Sequence, residues 1–207
     1  MIFGAIILQI FYHHLTWQIT LDYLLLLFWG IFANLLLNFY IADLIKIYTE
    51  STIDHLTKLA NRQLFDQALK ALEHTSSVAI AIFDIDYFKQ YNDSFGHNTG
   101  DQVLQLIGNY FKSFEDSYCH FYRFGGEEFV CLMTYSQPSD NQKKLQMIQQ
   151  NIASYCQQQA PNLKAITLSQ GIAFRKPDES LLKTFKRCDK ALYQAKHLGR
   201  NCTVIAK

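Results

Sequence analysis

Two short acidic stretches carry the residue types that hold cations and handle phosphate. One is Asp84-Ile85-Asp86, which closes the apolar run Val78–Phe83. The other is Arg123-Phe124-Gly125-Gly126-Glu127-Glu128-Phe129, where two glycines precede two carboxylates. Glycine pairs suit the positive φ angles of a tight hairpin, so Glu127 and Glu128 leave a turn at the start of a strand. Carboxylates there are costly unless a positive partner meets them, and a divalent metal is the usual one. The same residues also suit a solvated hairpin tip, and Asp84 suits a cap on the following turn. Lys89 lies five residues past Asp84, within reach of a phosphate held at the same metal. Asn92 offers a donor and an acceptor, and Asp101 can accept two donors, which matches the N1–H and N2–H₂ edge of guanine. His97 and Asp101 suit helix capping equally well. Lys190, Lys196 and Arg200 line the last helical segment and its end, where basic side chains either meet an anion or complement the helix dipole.

Positioning these groups requires a sheet with helices around it. Val78–Phe83 is apolar throughout, the pattern of a strand buried on both faces, and α/β folds tend to place chemistry at such a strand's end. Cys119–Phe124 and Phe129–Thr134 read as strands flanking the glycine turn. From Arg62 a helix is predicted with Phe65, Leu69 and Leu72 on one face. Gly96 and Gly100 suit turns, so a helical turn and loop should feed a helix at Gln102–Phe114. A helix around Asn141–Gln157, a strand at Ala165–Ala173, a helix from Leu181 to His197 and an edge strand at Cys202–Ile205 follow. The order α-β-α-α-β-β-α-β-α predicts an α/β fold with a central sheet surrounded by helices. It resembles the palm of nucleotide polymerases and class III nucleotidyl cyclases.

The chain of 207 residues suits one domain plus an appendage, and its net charge of +1 argues neither for nor against nucleic acid. All nineteen Lys and Arg fall from Lys46 onward, so an apolar head precedes a charged body. Within the head, Tyr23–Ile41 has only Asn34 and Asn38 as strongly polar members. As a helix it spans ~28 Å, close to a bilayer's hydrocarbon core. Tyr23 and Tyr40 would be interfacial, and Lys46 as first cation predicts a cytoplasmic body on the inner membrane. Met1–Tyr12 is a second apolar run, so a helical hairpin with its outer loop at Gln18–Asp22 is expected, a single span being the alternative. No basic leader or small-x-small site marks a cleaved signal peptide. Ile41, Leu44, Ile45 and Tyr48 form a helical stripe able to seam two chains or to pack on the body. The five cysteines lack CxxC spacing and read as reduced, buried thiols.

From Asp54 onward the motifs resemble one family, the GGDEF domain of diguanylate cyclases, in GGEEF form. The resemblance rests on Asp54-His55-Leu56-Thr57 with Asn61-Arg62, on Asp84–Lys89, on Gly96-His97 and Gly100-Asp101, and on Arg123–Phe129. Thr167–Gly171 and Asp189–Lys196 with Gly199-Arg200-Asn201 complete it. It divides the chain into a membrane segment, residues 1–42, a helical linker, 43–53, and a catalytic domain, 54–207. It implies condensation of two GTP into cyclic di-GMP with release of two pyrophosphates, by a homodimer in which two GTP face each other. It also implies that Asp84, the Ile85 carbonyl and Glu127, with Glu128 assisting, hold Mg²⁺, or Mn²⁺ in its place. Glu127 is also the position of the base for the 3′-hydroxyl, and Lys89 would stabilise transition-state charge. Asn92, His97 and Asp101 would surround the guanine or ribose, and Lys196 and Arg200 the β and γ phosphates. Two departures stand out. Asp116-Ser117-Tyr118-Cys119 replaces an Arg-x-x-Asp product-inhibition motif, so no cyclic di-GMP site of that type is expected. Lys58 replaces the usual glycine of the Leu-Thr-Gly-Leu turn. The competing expectation is a catalytically silent module that binds GTP or partners as a regulator.

Overall fold

The computed structural model describes residues 2–134 and 138–207, apart from the side chains of residues 2, 3 and 49–51, and the chain forms two units, Met1–Thr49 and Glu50–Lys207. The first unit is built from helix α1 (Ile2–Thr52), which is continuous across Gln18–Asp22. The expected hairpin therefore does not form. No Gly or Pro breaks the helix between Thr16 and Asp22, and its hydroxyls are satisfied internally. Thr16 Oγ1 donates to the His13 carbonyl (2.9 Å) and Thr20 Oγ1 to that of Trp17 (2.8 Å). Asn38 Nδ2 likewise donates to Asn34 Oδ1 at 2.8 Å. The stretch Gly4–Tyr48 is long and apolar enough to cross a membrane, and none of it is buried by the rest of the chain. At 1.5 Å per residue α1 is ~75 Å long, so both apolar runs lie along one rod longer than a ~30 Å hydrocarbon core. Ile41, Leu44, Ile45 and Tyr48 are each about half exposed.

The second unit continues with β1 (Ala60–Asn61), α2 (Arg62–Ala71), β2 (Val78–Ile85), α3 (Phe88–Phe95), α4 (His97–Lys112), β3 (Cys119–Gly125), β4 (Glu128–Thr134), α5 (Pro138–Gln159), β5 (Leu168–Phe174), α6 (Leu181–His197) and β6 (Thr203–Ile205). The strands form one mixed sheet in the order β1-β3-β4-β2-β5-β6. β2 is central and antiparallel to β4 and β5, whereas β1 and β6 run parallel to β3 and β5. Every residue of β2 is buried, because its alternate side chains serve two cores. Ala79, Ala81, Phe83 and Ile85 pack with Phe111 of α4 and Ile148 of α5. Val78, Ile80 and Ile82 pack with Phe65 of α2 and Leu192 of α6. This is the palm-like α/β fold that the element order predicts.

Several details differ from the sequence reading, among them the strand expected at Ala165–Ala173, which starts at Leu168. β2 runs two residues beyond its apolar stretch, because Asp84 stays in register between Glu128 and Ser169. β1, only two residues long, has no periodicity to betray it. α4 starts at His97, so Gly100 is helical rather than a turn residue. A Cβ at Gly100 would overlap the Asn92 side chain, so the glycine serves the close approach of α3 and α4.

Gly171 serves the packing of α6 on β5 in the same way. A Cβ there would meet the Cys188 carbonyl and the Leu192 nitrogen, both backbone atoms that cannot swing aside. Gly171→Ala is expected to destabilise the domain by about 3 kcal/mol, the upper range for overpacking, read as a lower urea midpoint. An unchanged midpoint would contradict this packing.

Glu179 anchors the start of α6. Arg187 Nε and Nη2 grip its carboxylate at 2.8 and 2.6 Å, and Thr184 Oγ1 donates at 2.9 Å. The Arg187 hydrogen bond holds the Glu179 pKa down to about 2 against an ordinary 4.5. The resulting stabilisation, at most about 3 kcal/mol, is present above the ordinary carboxylate pKa and drains away as pH falls towards 2. The stability difference between wild type and Glu179→Gln should therefore shrink by about half between pH 5 and pH 3 and close near pH 2. A gap that is undiminished between pH 5 and pH 3 would count against the ion pair as its source.

Candidate active site

The site is assembled where the end of β2 meets the β3–β4 hairpin and the end of α6. Asp84 is only 6% exposed, and its side chain follows Ile80 and Ile82 onto the α2–α6 face of the sheet. There Lys196 Nζ meets Asp84 Oδ2 at 2.7 Å. Burial pushes the Asp84 pKa up, Lys196 opposes this, and the charges of Glu127 and Asp86 add to the rise. Glu128, the cross-strand partner of Asp84, is also pushed up, by burial first and then by Asp84. These carboxylates thus share a half-dry region whose negative charge Lys196 offsets in part.

The hairpin is set by its glycines and clamped by an arginine. Gly126 has φ of +50° and forms the turn with Glu127, whose carbonyl accepts the Ile85 N–H at 3.3 Å. Arg123 Nε and Nη2 donate to the Gly126 carbonyl at 3.2 and 2.9 Å. Its Nη1 reaches both Asp54 oxygens at 3.0 and 3.1 Å. Burial raises the Asp54 pKa, but the Thr57 N–H and hydroxyl and Arg123 outweigh it and hold the carboxyl below its usual range. The hairpin is thereby tied to the Asp54–Thr57 turn. Lys58 takes the φ of +59° that a glycine would adopt freely, so its replacement of glycine leaves the turn's shape intact at some strain.

Asp86, whose role the sequence did not reveal, is a structural hub. It is 8% exposed and accepts from Thr167 Oγ1 (2.7 Å), Ser169 Oγ (2.6 Å) and the Asn201 N–H (3.0 Å). These bonds join the ends of β2 and β5 to the loop after α6. The alternation Asp84-x-Asp86 opposite Thr167-x-Ser169 was the available signal.

The remaining candidates fall in four places, α3, α4, the end of β2 and the end of α6. Asn92, on α3, rests against Gly100 of α4, and its Oδ1 is buried without a hydrogen-bond partner among the described residues. His97 and Asp101 are exposed on α4. The capping alternative for them fails, because Gly96 is the N-cap, no side chain caps that end, and the first turn holds no acidic residue. Lys89 is exposed on α3. Ile85 buries its side chain in the core, leaving only its backbone to the site. Lys196 lies in the last turn of α6 and the Arg200 N–H caps the Ala195 carbonyl at 3.1 Å, while their side chains diverge, Lys196 to Asp84 and Arg200 to Tyr87.

Oxygen donors of this kind suit a hard divalent cation. Among the described residues no three His, Cys, Asp or Glu side chains converge into a ready-made metal cage. Mg²⁺ does not need one, since it is usually held by one or two carboxylates together with substrate phosphates. Asp84, buried, and its half-buried neighbours Glu127 and Glu128, in need of positive charge, fit that requirement.

A family model described as diguanylate cyclase, GGDEF domain, matches residues 51–202. The chain is 31% identical over 163 residues to diguanylate cyclase VdcA of Vibrio cholerae, covering 77% of this chain and 48% of that protein. It is 32% identical over 163 residues to diguanylate cyclase DgcZ of Escherichia coli, covering 75% and 55%. The chain thus spans about half the length of these curated relatives. Among solved structures, the coiled coil and GGDEF domain of DgcB from Caulobacter crescentus, in complex with c-di-GMP, aligns with a TM-score of 0.75 at 32% identity, over 82% of this chain and 93% of that one.

Proposed function

We propose, from the premise that this chain belongs to the GGDEF-domain family of diguanylate cyclases, that it condenses two GTP into cyclic di-GMP and two pyrophosphates as a metal-dependent homodimer. The observation that carries this reading is the gathering of Asp84 and Glu128 with Glu127 at the end of β2, with the Lys196 ammonium 2.7 Å from Asp84. Asp84, the Ile85 carbonyl and Glu127, with Glu128 assisting, would hold Mg²⁺ or Mn²⁺. When bound, that ion polarises the α-phosphate and offsets charge on the leaving pyrophosphate.

The chain's own groups do the rest. Glu127, at the hairpin turn, accepts the proton of the attacking 3′-hydroxyl. Lys89, extended from α3 into solvent, stabilises charge that develops on the phosphate in transit. Lys196 and Arg200 meet the β and γ phosphates. Asn92, with His97 and Asp101, reads the guanine or ribose. Each domain holds one GTP, so two chains must face each other for each 3′-oxygen to attack the other's α-phosphate. Helix α1 anchors the chain in the inner membrane with the catalytic domain in the cytoplasm. Confinement of two chains there raises their effective concentration.

The dimer requirement is testable by dilution of the purified chain in detergent. Turnover per chain should fall as the dimer dissociates, with two pyrophosphates released per cyclic di-GMP. Turnover per chain that is independent of concentration in a monomeric sample would contradict it. Product should not inhibit through the region of Asp116. Asp116 is held by Lys144 at 2.9 Å, and Cys119, in place of the motif's carboxylate, is 1% exposed with its thiol 3.6 Å from that of Cys131. Without an arginine fork this surface lacks the bidentate phosphate grip. Turnover is expected to be unchanged by added cyclic di-GMP at this site. Strong inhibition lost on Asp116→Ala would overturn that expectation.

A further inference from the structure

Tyr87 stands out because it is strained without being buried. It has φ of 57° and ψ of 26°, a left-handed conformation uncommon for a bulky residue, and the residue is 54% exposed. Burial therefore does not account for the strain, and strain of this kind gathers at functional sites. What the conformation achieves is a contact. The Arg200 guanidinium lies 4.4 Å above the centre of the Tyr87 ring, and its Nη1 donates to the phenol oxygen at 3.4 Å. The other side of the contact is shaped for the same end. Gly199, Arg200 and Asn201 have φ of +110°, +66° and +44°, so the chain folds back after α6. Asp86 pins this loop through the Asn201 N–H. Arg200 is thus held at its backbone by the Ala195 carbonyl, with Asp86 gripping the next residue, and at its tip by the residue that follows Asp86.

We propose that Tyr87 is a positioning residue that holds the Arg200 guanidinium in place for the triphosphate. This rests on the phosphate role given to Arg200 above. Free arginine side chains carry much rotamer entropy, and a guanidinium stacked before substrate arrives loses less of it on binding. The contact serves affinity for the phosphates and not the chemical step. Loss of one partly exposed cation–π contact corresponds to about a three- to tenfold change in binding.

The test is Tyr87→Asn, beside Tyr87→Phe, in the full-length chain. Asparagine tolerates the left-handed conformation better than tyrosine, so Tyr87→Asn is expected to melt no lower than wild type. It should nevertheless weaken GTP binding about three- to tenfold and raise KM with kcat nearly unchanged. Tyr87→Phe keeps the ring and should bind GTP within about twofold of wild type. In an Arg200→Ala background, Tyr87→Asn should have no further effect, because the residue acts only through the arginine. Equal GTP affinity in wild type and Tyr87→Asn, or an undiminished effect in the Arg200→Ala background, overturns the proposal. A wild-type chain that binds no GTP overturns the underlying reading and this proposal with it.

Discussion

Asp84→Asn is expected to reduce cyclic di-GMP formation on the order of 10³-fold or more while leaving the fold intact. Several kcal/mol of transition-state charge stabilisation depend on the cation that Asp84 would ligate, and each 1.36 kcal/mol is a factor of ten in rate. Asparagine preserves the shape of the side chain and its place between Glu128 and Ser169. Stability should not fall. Burial and the neighbouring carboxylates push the Asp84 pKa up, so its ionised form is disfavoured in the fold. Any stabilisation associated with that group is present below the ordinary carboxylate pKa and is lost as pH rises through the folded one. A neutral amide at pH 7 therefore removes a burden, and Lys196, one-third exposed, can turn to water. Thermal melting and product formation measured on the same preparation check both halves. A folded variant that keeps a tenth of wild-type activity would rule out Asp84 as an essential ligand.

Asp86→Ala should do the reverse, acting first on stability. Its carboxylate accepts two hydroxyls and one backbone N–H from segments more than 80 residues away, in a setting that is 8% exposed. Hydrogen bonds to a charged acceptor contribute roughly 1.5–3 kcal/mol each and do not add fully, so a loss of about 3–5 kcal/mol is expected. That is a large share of the ~5–15 kcal/mol that holds an ordinary domain together. Ser169→Ala, which removes one bond and leaves the carboxylate two partners, should cost about 1–2 kcal/mol. Urea unfolding of the three proteins gives the comparison. Equal midpoints for wild type and Asp86→Ala would remove Asp86 from the framework of the site.

The site's legibility followed the range of the interactions that make it. Local signals were sufficient for the helix Leu181–His197, for the strands around Gly125-Gly126 and for the buried run that ends at Asp84, because periodicity and turn chemistry are written over a few residues. The α1 hairpin failed for a related reason. Two apolar runs imply two spans by length alone, yet the polar residues between them are good enough helix formers to continue the rod. Gly100 misled because a glycine needed for helix contact looks the same in sequence as one needed for a turn. Lys196 on Asp84, Arg123 on Asp54 and Asn201 on Asp86 join residues 112, 69 and 115 positions apart, and no local pattern records such pairings. The family resemblance supplied the residue roles, but not Asp86 or Tyr87, whose parts emerge only from their contacts.

The central claim is that Asp84 and the hairpin carboxylates form the metal-dependent centre of an active cyclase. The most direct measurement is turnover of GTP with Mg²⁺ by the purified chain, its nucleotide products resolved by chromatography, beside Glu127→Ala. The account predicts cyclic di-GMP from the wild type and none from the variant. Absence of product from a verified wild-type dimer, or equal product from Glu127→Ala, would contradict it.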